Sequence, residues 1–223
     1  MKERTVIELM ELTDIGVIKD LFSRHGFSFS KTLGQNFLIN PTVCPKIAEL
    51  GGCGEGVCAI EIGTGVGVLT KELAKRCDKV VAVELDERLK PVLEETLAEF
   101  DNVEVIFADV MQTDLHKIIE EKFGGKETVV CANLPYYITS PVIMKILEER
   151  LPIKALTVMV QKEAADRICA KAASADSPQS AYSPAAGALQ ARPAVFGGCS
   201  CIFAEFPLPS EQKQRILPLS FAA

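Results

Sequence analysis

The chain has no tryptophan, and histidine occurs only twice, at His25 and His116. Chemistry that needs a histidine base therefore has two candidates. His25 closes a helical pattern, where a cation suits the negative end of the helix dipole, and His116 reads as a surface residue within another helix. No Cys-x-x-Cys pair occurs, and Cys199-x-Cys201 has no histidine near it, which argues against a zinc site. No apolar run approaches the roughly 20 residues needed to span a bilayer. The first residues, Met1-Lys2-Glu3-Arg4, lack the apolar block of a signal peptide. There is no excess of positive charge either: 24 basic residues face 30 acidic ones, for a net charge of −6. That is not the overall signature of a nucleic-acid binder, although a local basic face stays compatible with it. These absences lead us to expect a cytoplasmic protein with no membrane association.

What the chain does contain is a core. Its 223 residues are 48% hydrophobic, enough for one full α/β domain with a small appendage. The eight cysteines read as reduced and largely buried, because Cys58 and Cys131 lie inside apolar strand patterns. Residues 3–12 and 14–25 read as two helices, the second with Asp14 as N-cap and Gly26 just past its end. Asn40-Pro41 reads as N-cap and first residue of a helix reaching Leu50.

Strands and helices then alternate. Strands are expected at 57–62, 80–85, 103–107, 128–130 and 156–160. Helical spacing follows the first at Val66, Leu69 and Leu73, the second at Leu89, Val92 and Leu93 around Pro91, and the third across 114–123. A further helix is expected to start at Ser140-Pro141. This alternation predicts a Rossmann-like, mostly parallel, doubly wound sheet.

Chemistry gathers at the expected strand ends. Gly63-Thr64-Gly65-Val66-Gly67 follows the first strand, and glycines there let a ligand approach the backbone at a helix N-terminus. The spacing is Gly-x-Gly-x-Gly, not the Gly-x-Gly-x-x-Gly of dinucleotide binders; alone it is equally a tight turn. Glu84 ends the second strand 21 residues after Gly63, close to the offset of about 20 for a carboxylate that holds a ribose. Asp109 ends the third strand, where it could meet an adenine amine. Asn133-Leu134-Pro135-Tyr136 ends the fourth. Pro135 removes a donor and biases Leu134 away from helix, so a rigid extended loop is expected there. One such acid is easily a solvated loop charge, but four strand ends in a row are not easily coincidence.

These motifs carry a resemblance. Glu61-Ile62-Gly63-Thr64-Gly65-Val66-Gly67-Val68-Leu69-Thr70 resembles the cofactor loop of S-adenosylmethionine-dependent methyltransferases, and Asn133-Leu134-Pro135-Tyr136 the signature of amino-group methylases acting on adenine. With Leu33-Gly34-Gln35-Asn36-Phe37-Leu38 upstream, the chain resembles the ribosomal RNA adenine N6,N6-dimethyltransferases, over about residues 15–170. Its spellings are closer to the bacterial small-subunit (16S) branch than to the large-subunit enzymes of macrolide resistance. The resemblance implies S-adenosyl-L-methionine as cofactor and two adjacent adenosines near the 3′ end of small-subunit rRNA, within a pre-30S particle, as substrate. It implies that Asn36 and Leu38 border the methionine end of the cofactor and that Gly63 and Gly65 approach it. Glu84 would hold the ribose, Asp109 the adenine amine, and Asn133 would lie between cofactor and target base. For transfer, the Asn133 side chain and the Leu134 or Pro135 carbonyl would accept the N6 hydrogens while Tyr136 stacks on the base. A monomer is expected. Catalytic inactivity with retained ribosome binding, and a DNA adenine methylase, are the alternatives; a NAD-dependent dehydrogenase fits least.

The resemblance stops near Ala170. Three segments are expected: N-terminal helices over 1–30, a methyltransferase domain over 31–170, and an atypical tail over 171–223. The tail is rich in Ala, Ser and Pro at first, and one short strand at 202–206 is all it suggests. It resembles a frame-altered replacement of the family's last strands and helical RNA-binding domain. The sheet is therefore expected to be incomplete at its C-terminal strands, leaving the fifth strand as an exposed edge.

Overall fold

The computed structural model describes residues 12–26, 40–160, 190–196 and 199–205. The expected helix over 3–12 lies almost wholly outside these residues, as does the Leu33–Leu38 motif with Asn36 and Leu38.

In order, the chain forms α1 (Ile15–Arg24), α2 (Val43–Leu50), β1 (Val57–Ile62), α3 (Val68–Ala74) and β2 (Lys79–Glu84). A single 3₁₀ turn (Glu87–Leu89) leads into α4 (Lys90–Thr96), then β3 (Val103–Phe107), α5 (Leu115–Phe123) and β4 (Glu127–Asn133). Next come α6 (Tyr136–Glu148), β5 (Ala155–Val160), β6 (Gln190–Phe196) and β7 (Cys199–Glu205). The seven strands make one sheet, ordered β3-β2-β1-β4-β5-β7-β6. The first five are parallel, as the alternation predicts. Among the described residues no helix is long and apolar enough to cross a membrane.

Local signals explain most boundaries. Asp14 caps α1, its Oδ1 accepting from Gly16 N–H at 2.6 Å, and Gly26 follows the helix with φ +63°. Asp114 caps α5 in the same way, accepting from Lys117 N–H. Asn40 does not begin α2 as expected. Its side chain closes a turn by accepting from Thr42 N–H at 3.0 Å, and the helix starts at Val43. Pro91 does not interrupt α4 but stands in its first turn, where a missing N–H costs nothing.

β1 is buried on both faces, as a central parallel strand must be. Alternate residues divide between two cores. Cys58, Ile60 and Ile62 pack with Ile118 and Ile146 of α5 and α6, whereas Val57 and Ala59 pack with Ile47 and Leu73 of α2 and α3. Cys44, Cys58, Cys77 and Cys131 are buried thiols that form no disulfide.

Two further expectations fail. The helix after β4 begins at Tyr136, four residues before Ser140, and carries Pro141 in its interior. Pro135 adopts φ −57° and ψ 143° and serves as the cap, so the loop between β4 and α6 is only Leu134-Pro135. Pro141 leaves the Tyr137 carbonyl without its usual helical donor, one lost bond that thirteen residues of helix tolerate. The sheet is also not truncated at β5. Its edge pairs antiparallel with β7 from Ala155↔Glu205 to Val160↔Ser200, and β6 pairs outside β7. Cys199–Glu205 is apolar and β-prone, and Phe196↔Cys199 pairing leaves only Gly197-Gly198 between the strands, a hairpin spacing. Pro193 discourages a strand reading of 190–196, yet β6 is the outermost strand, the position in which proline is tolerated.

Gly67 fixes how α3 leaves the glycine loop. It has φ +90°, and a Cβ there would stand 3.2 Å from both Leu97 and Thr96 of the α4 segment. Gly67→Ala should therefore destabilise the fold by about 1–3 kcal/mol, measured by denaturant unfolding. An unchanged midpoint would show that the loop relaxes without cost.

Candidate active site

The carboxyl ends of β3, β2, β1 and β4 open onto one cleft of about 970 Å³, including its open mouth. In sheet order they bring Asp109, Glu84, Gly63 and Asn133 to a single edge. Gly65, Leu134 and Pro135 line it as well. The sequence-predicted residues that are described thus meet in one place, apart from the side chain of Tyr136, which lies outside the described part.

Glu84 organises the floor of the cleft. It is 7% exposed. Its Oε2 accepts from Gly65 N–H at 3.0 Å and its Oε1 from Asp86 N–H at 2.9 Å. Burial raises its pKa above the ordinary carboxylate value, and these amide bonds offset part of that rise. Two carboxylate oxygens offer about four acceptor sites, so capacity remains for a diol. Gly63, at φ +79°, lets the loop pass close to β4: a Cβ there would lie 3.5 Å from the Asn133 carbonyl oxygen. Asp109 accepts from Met111 N–H at 2.9 Å and from the Gln112 amide at 3.3 Å, fixing its carboxylate in the turn after β3.

At the other end, the Pro135 carbonyl is already engaged. It accepts from Ile138 N–H and from the Thr139 hydroxyl, each at 3.1 Å. Of the two backbone acceptors left open by the sequence, Leu134 is the one not committed to α6.

The cleft is acidic. Glu61, Glu84, Asp86 and Asp109 line it, and no Lys, Arg or His does so among the described residues. Asp86 is neutralised by a two-point ion pair with Arg88, both bonds 2.7 Å; Glu84 and Asp109 have no cationic partner among the described residues. A dinucleotide would bring two phosphates against these carboxylates. A phosphate-free cationic nucleoside suits them, so the site fits S-adenosylmethionine and disfavours NAD.

Residues 26–183 match the family described as Ribosomal RNA adenine dimethylase. The chain belongs to that family. Among curated relatives, it is 53% identical over 150 residues to the ribosomal RNA small subunit methyltransferase A of Alkaliphilus oremlandii, covering 67% of this chain and 52% of the relative. For the protein of the same name from Geobacillus thermodenitrificans the identity is 51% over 162 residues, covering 72% and 55%. The chain spans about half the length of the curated relatives it matches. Among solved structures, the 23S rRNA methyltransferase ErmE superposes with a TM-score of 0.60 at 23% identity, covering 77% of this chain and 70% of that one, which is likeness of fold.

Within this dimethylase-family fold, the histidines stand apart from the cleft. His25 Nε2 lies 2.6 Å from Glu95 Oε2 at the end of α1, and His116 bonds the Glu149 carbonyl at the end of α6. Sequence reasoning gave no role to Glu61, although a glutamate inside an otherwise apolar strand is a visible signal. It is fully buried, and among the described residues neither carboxyl oxygen finds a hydrogen-bond partner. Burial pushes its pKa up to about 8; the Thr70 hydroxyl offsets a little of this and neighbouring Glu84 adds to it. The folded protein then keeps a proton that the unfolded chain, near 4.5, has lost. The stability this provides is complete below about pH 4.5 and lost as the pH rises to about 8. Glu61→Gln should therefore flatten the fall in melting temperature between about pH 5 and 8, while an unchanged slope would contradict the buried, uncompensated carboxyl.

Proposed function

We propose that the chain is an S-adenosylmethionine-dependent rRNA (adenine-N6,N6)-dimethyltransferase, acting on two adjacent adenosines near the 3′ end of small-subunit ribosomal RNA. The observation that carries this reading is the joining of an acidic cleft, with no Lys, Arg or His in its lining among the described residues, to Asn133-Leu134-Pro135-Tyr136. Small-subunit relatives at about half identity support the choice of RNA. In this proposal residues 31–170 form the catalytic domain, residues 1–30 and 171–223 flank it, and the protein works as a cytoplasmic monomer on pre-30S particles.

Glu84 accepts the ribose hydroxyls through its remaining acceptor sites. Asp109 accepts the adenine amine, and Gly63 and Gly65 leave room along the loop; Asn36 and Leu38 complete the methionine end. Glu61, protonated at neutral pH, is a buried carboxylic acid at the cleft wall that can hydrogen-bond a ligand. When bound, S-adenosylmethionine supplies a methyl group already activated by its sulfonium.

The protein's own task is position and charge. The target N6 lone pair is delocalised into the purine ring. Accepting its hydrogens at the Asn133 side-chain oxygen and the Leu134 carbonyl draws the nitrogen toward a tetrahedral form, with its lone pair aimed at the methyl. Tyr136 stacks on the base, which must leave its own helix or loop to enter. The proton becomes acidic once nitrogen is methylated and passes to water, so no histidine is required. Room for a monomethylated amine allows a second round.

Labelled methyl groups should pass from S-adenosylmethionine to undermethylated small subunits, and Asn133→Ala should reduce the rate by about 100-fold or more, a larger loss than any it causes in cofactor affinity. Ribosome binding with no turnover, indifferent to Asn133→Ala, would instead mark a binding protein. Preferential methylation of adenine in DNA would redirect the assignment to a DNA methylase.

A further inference from the structure

We propose that Tyr137 is a stacking platform for an RNA base beside the target adenine, separate from the residues that hold cofactor and target. The inference rests on the RNA-methylating reading above. Among the described residues four large hydrophobic side chains are exposed: Ile15, Leu85, Met111 and Tyr137. Ile15 belongs to α1 and does not line the cleft. Leu85 follows β2 and Met111 follows β3, so both belong to the nucleoside end of the sheet edge. Tyr137 follows β4, on the far side of β1 from them, where the target amine must arrive.

Tyr137 lines the cleft and yet is 63% exposed, more than any of the other three. Among the described residues no hydrogen bond, ion pair or ring contact involves it. Its backbone is nevertheless fixed, in the first turn of α6 directly behind the two-residue Leu134-Pro135 link. An aromatic ring held at a rigid helix start, wet on most of its surface, is poorly explained by packing. It is well suited to a flat, partly apolar partner that comes and goes. A nucleobase flanking the target is such a partner, because single-stranded bases stack on aromatic side chains with little regard to sequence. Tyr137 would thereby set which nucleotide of a single-stranded segment enters the cleft. It is a positioning residue: it touches the RNA strand but neither accepts the N6 hydrogens nor meets the methyl group.

The test uses the full chain and a small-subunit rRNA 3′-end oligonucleotide carrying 2-aminopurine next to the target adenine. Binding should quench the probe. Tyr137→Ala should remove the quenching and weaken RNA binding by about tenfold or more, raising KM with little change in kcat, while cofactor affinity stays unchanged. Tyr137→Phe, which keeps the ring, should behave as the unaltered chain. Equal quenching and affinity for Tyr137→Ala would overturn the inference. So would a loss in Tyr137→Phe as large as in Tyr137→Ala, since it would assign the effect to the hydroxyl. If the unaltered chain quenches the probe but transfers no methyl group, the proposed activity fails while Tyr137 stacking stands. If it binds no RNA, both fall.

Discussion

A buried carboxylate at the end of β2 holds this site together. Glu84 spans two backbone segments, accepting the amide of Gly65 in the loop after β1 and the amide of Asp86 after its own strand. In water such bonds would add little, but at 7% exposure an unmade one would leave a charge or a donor stranded. The link ties the glycine loop to the neighbouring strand and so fixes the floor of the cleft. It depends in turn on the parallel register, in which Ile62 pairs with Val83 and β2 runs one residue further, to Glu84. Everything placed on that edge, from Asp109 to Asn133, inherits its position from this arrangement.

The charge of the site follows from the same geometry. Parallel strands bring their ends to one edge, and here, among the described residues, those ends line the cleft with acids and no Lys, Arg or His. Glu61, one residue before the end of β1, adds a buried carboxyl with no hydrogen-bond partner among the described residues. Natural folds retain such a group at a cost in stability, and functional sites are where that cost is usually met. The account that unites Glu84 and Asp109 is a cleft suited to a cationic nucleoside, with Asn133 and Leu134 on the same cleft wall as Glu61.

How far this was legible in the sequence varied by residue. The strands were readable because buried parallel strands are continuous apolar runs, and Glu84, Asp109 and Asn133 were readable because each interrupts such a run at its end. The depth of Glu61 was not, since its burial is decided by α3 packing over the strand. The start of α6 was misread because Ser140-Pro141 is a good local initiation signal, whereas the actual start depends on Pro135 taking an extended ψ and offering its carbonyl to Ile138 and Thr139. β6 was missed, and β7 was read only in part, at 202–206, for a related reason: strand pairing is non-local, and the partner that extends the strand over Cys199–Glu205 is β5, some forty residues earlier.

The central claim is that the cleft selects a phosphate-free cationic nucleoside. Titration calorimetry of the full chain against S-adenosylmethionine and, separately, NAD tests it most directly. The account predicts saturable binding of S-adenosylmethionine, lost in Glu84→Ala, and no detectable heat with NAD. Binding of NAD in preference, or no binding of S-adenosylmethionine at millimolar concentration, would contradict it.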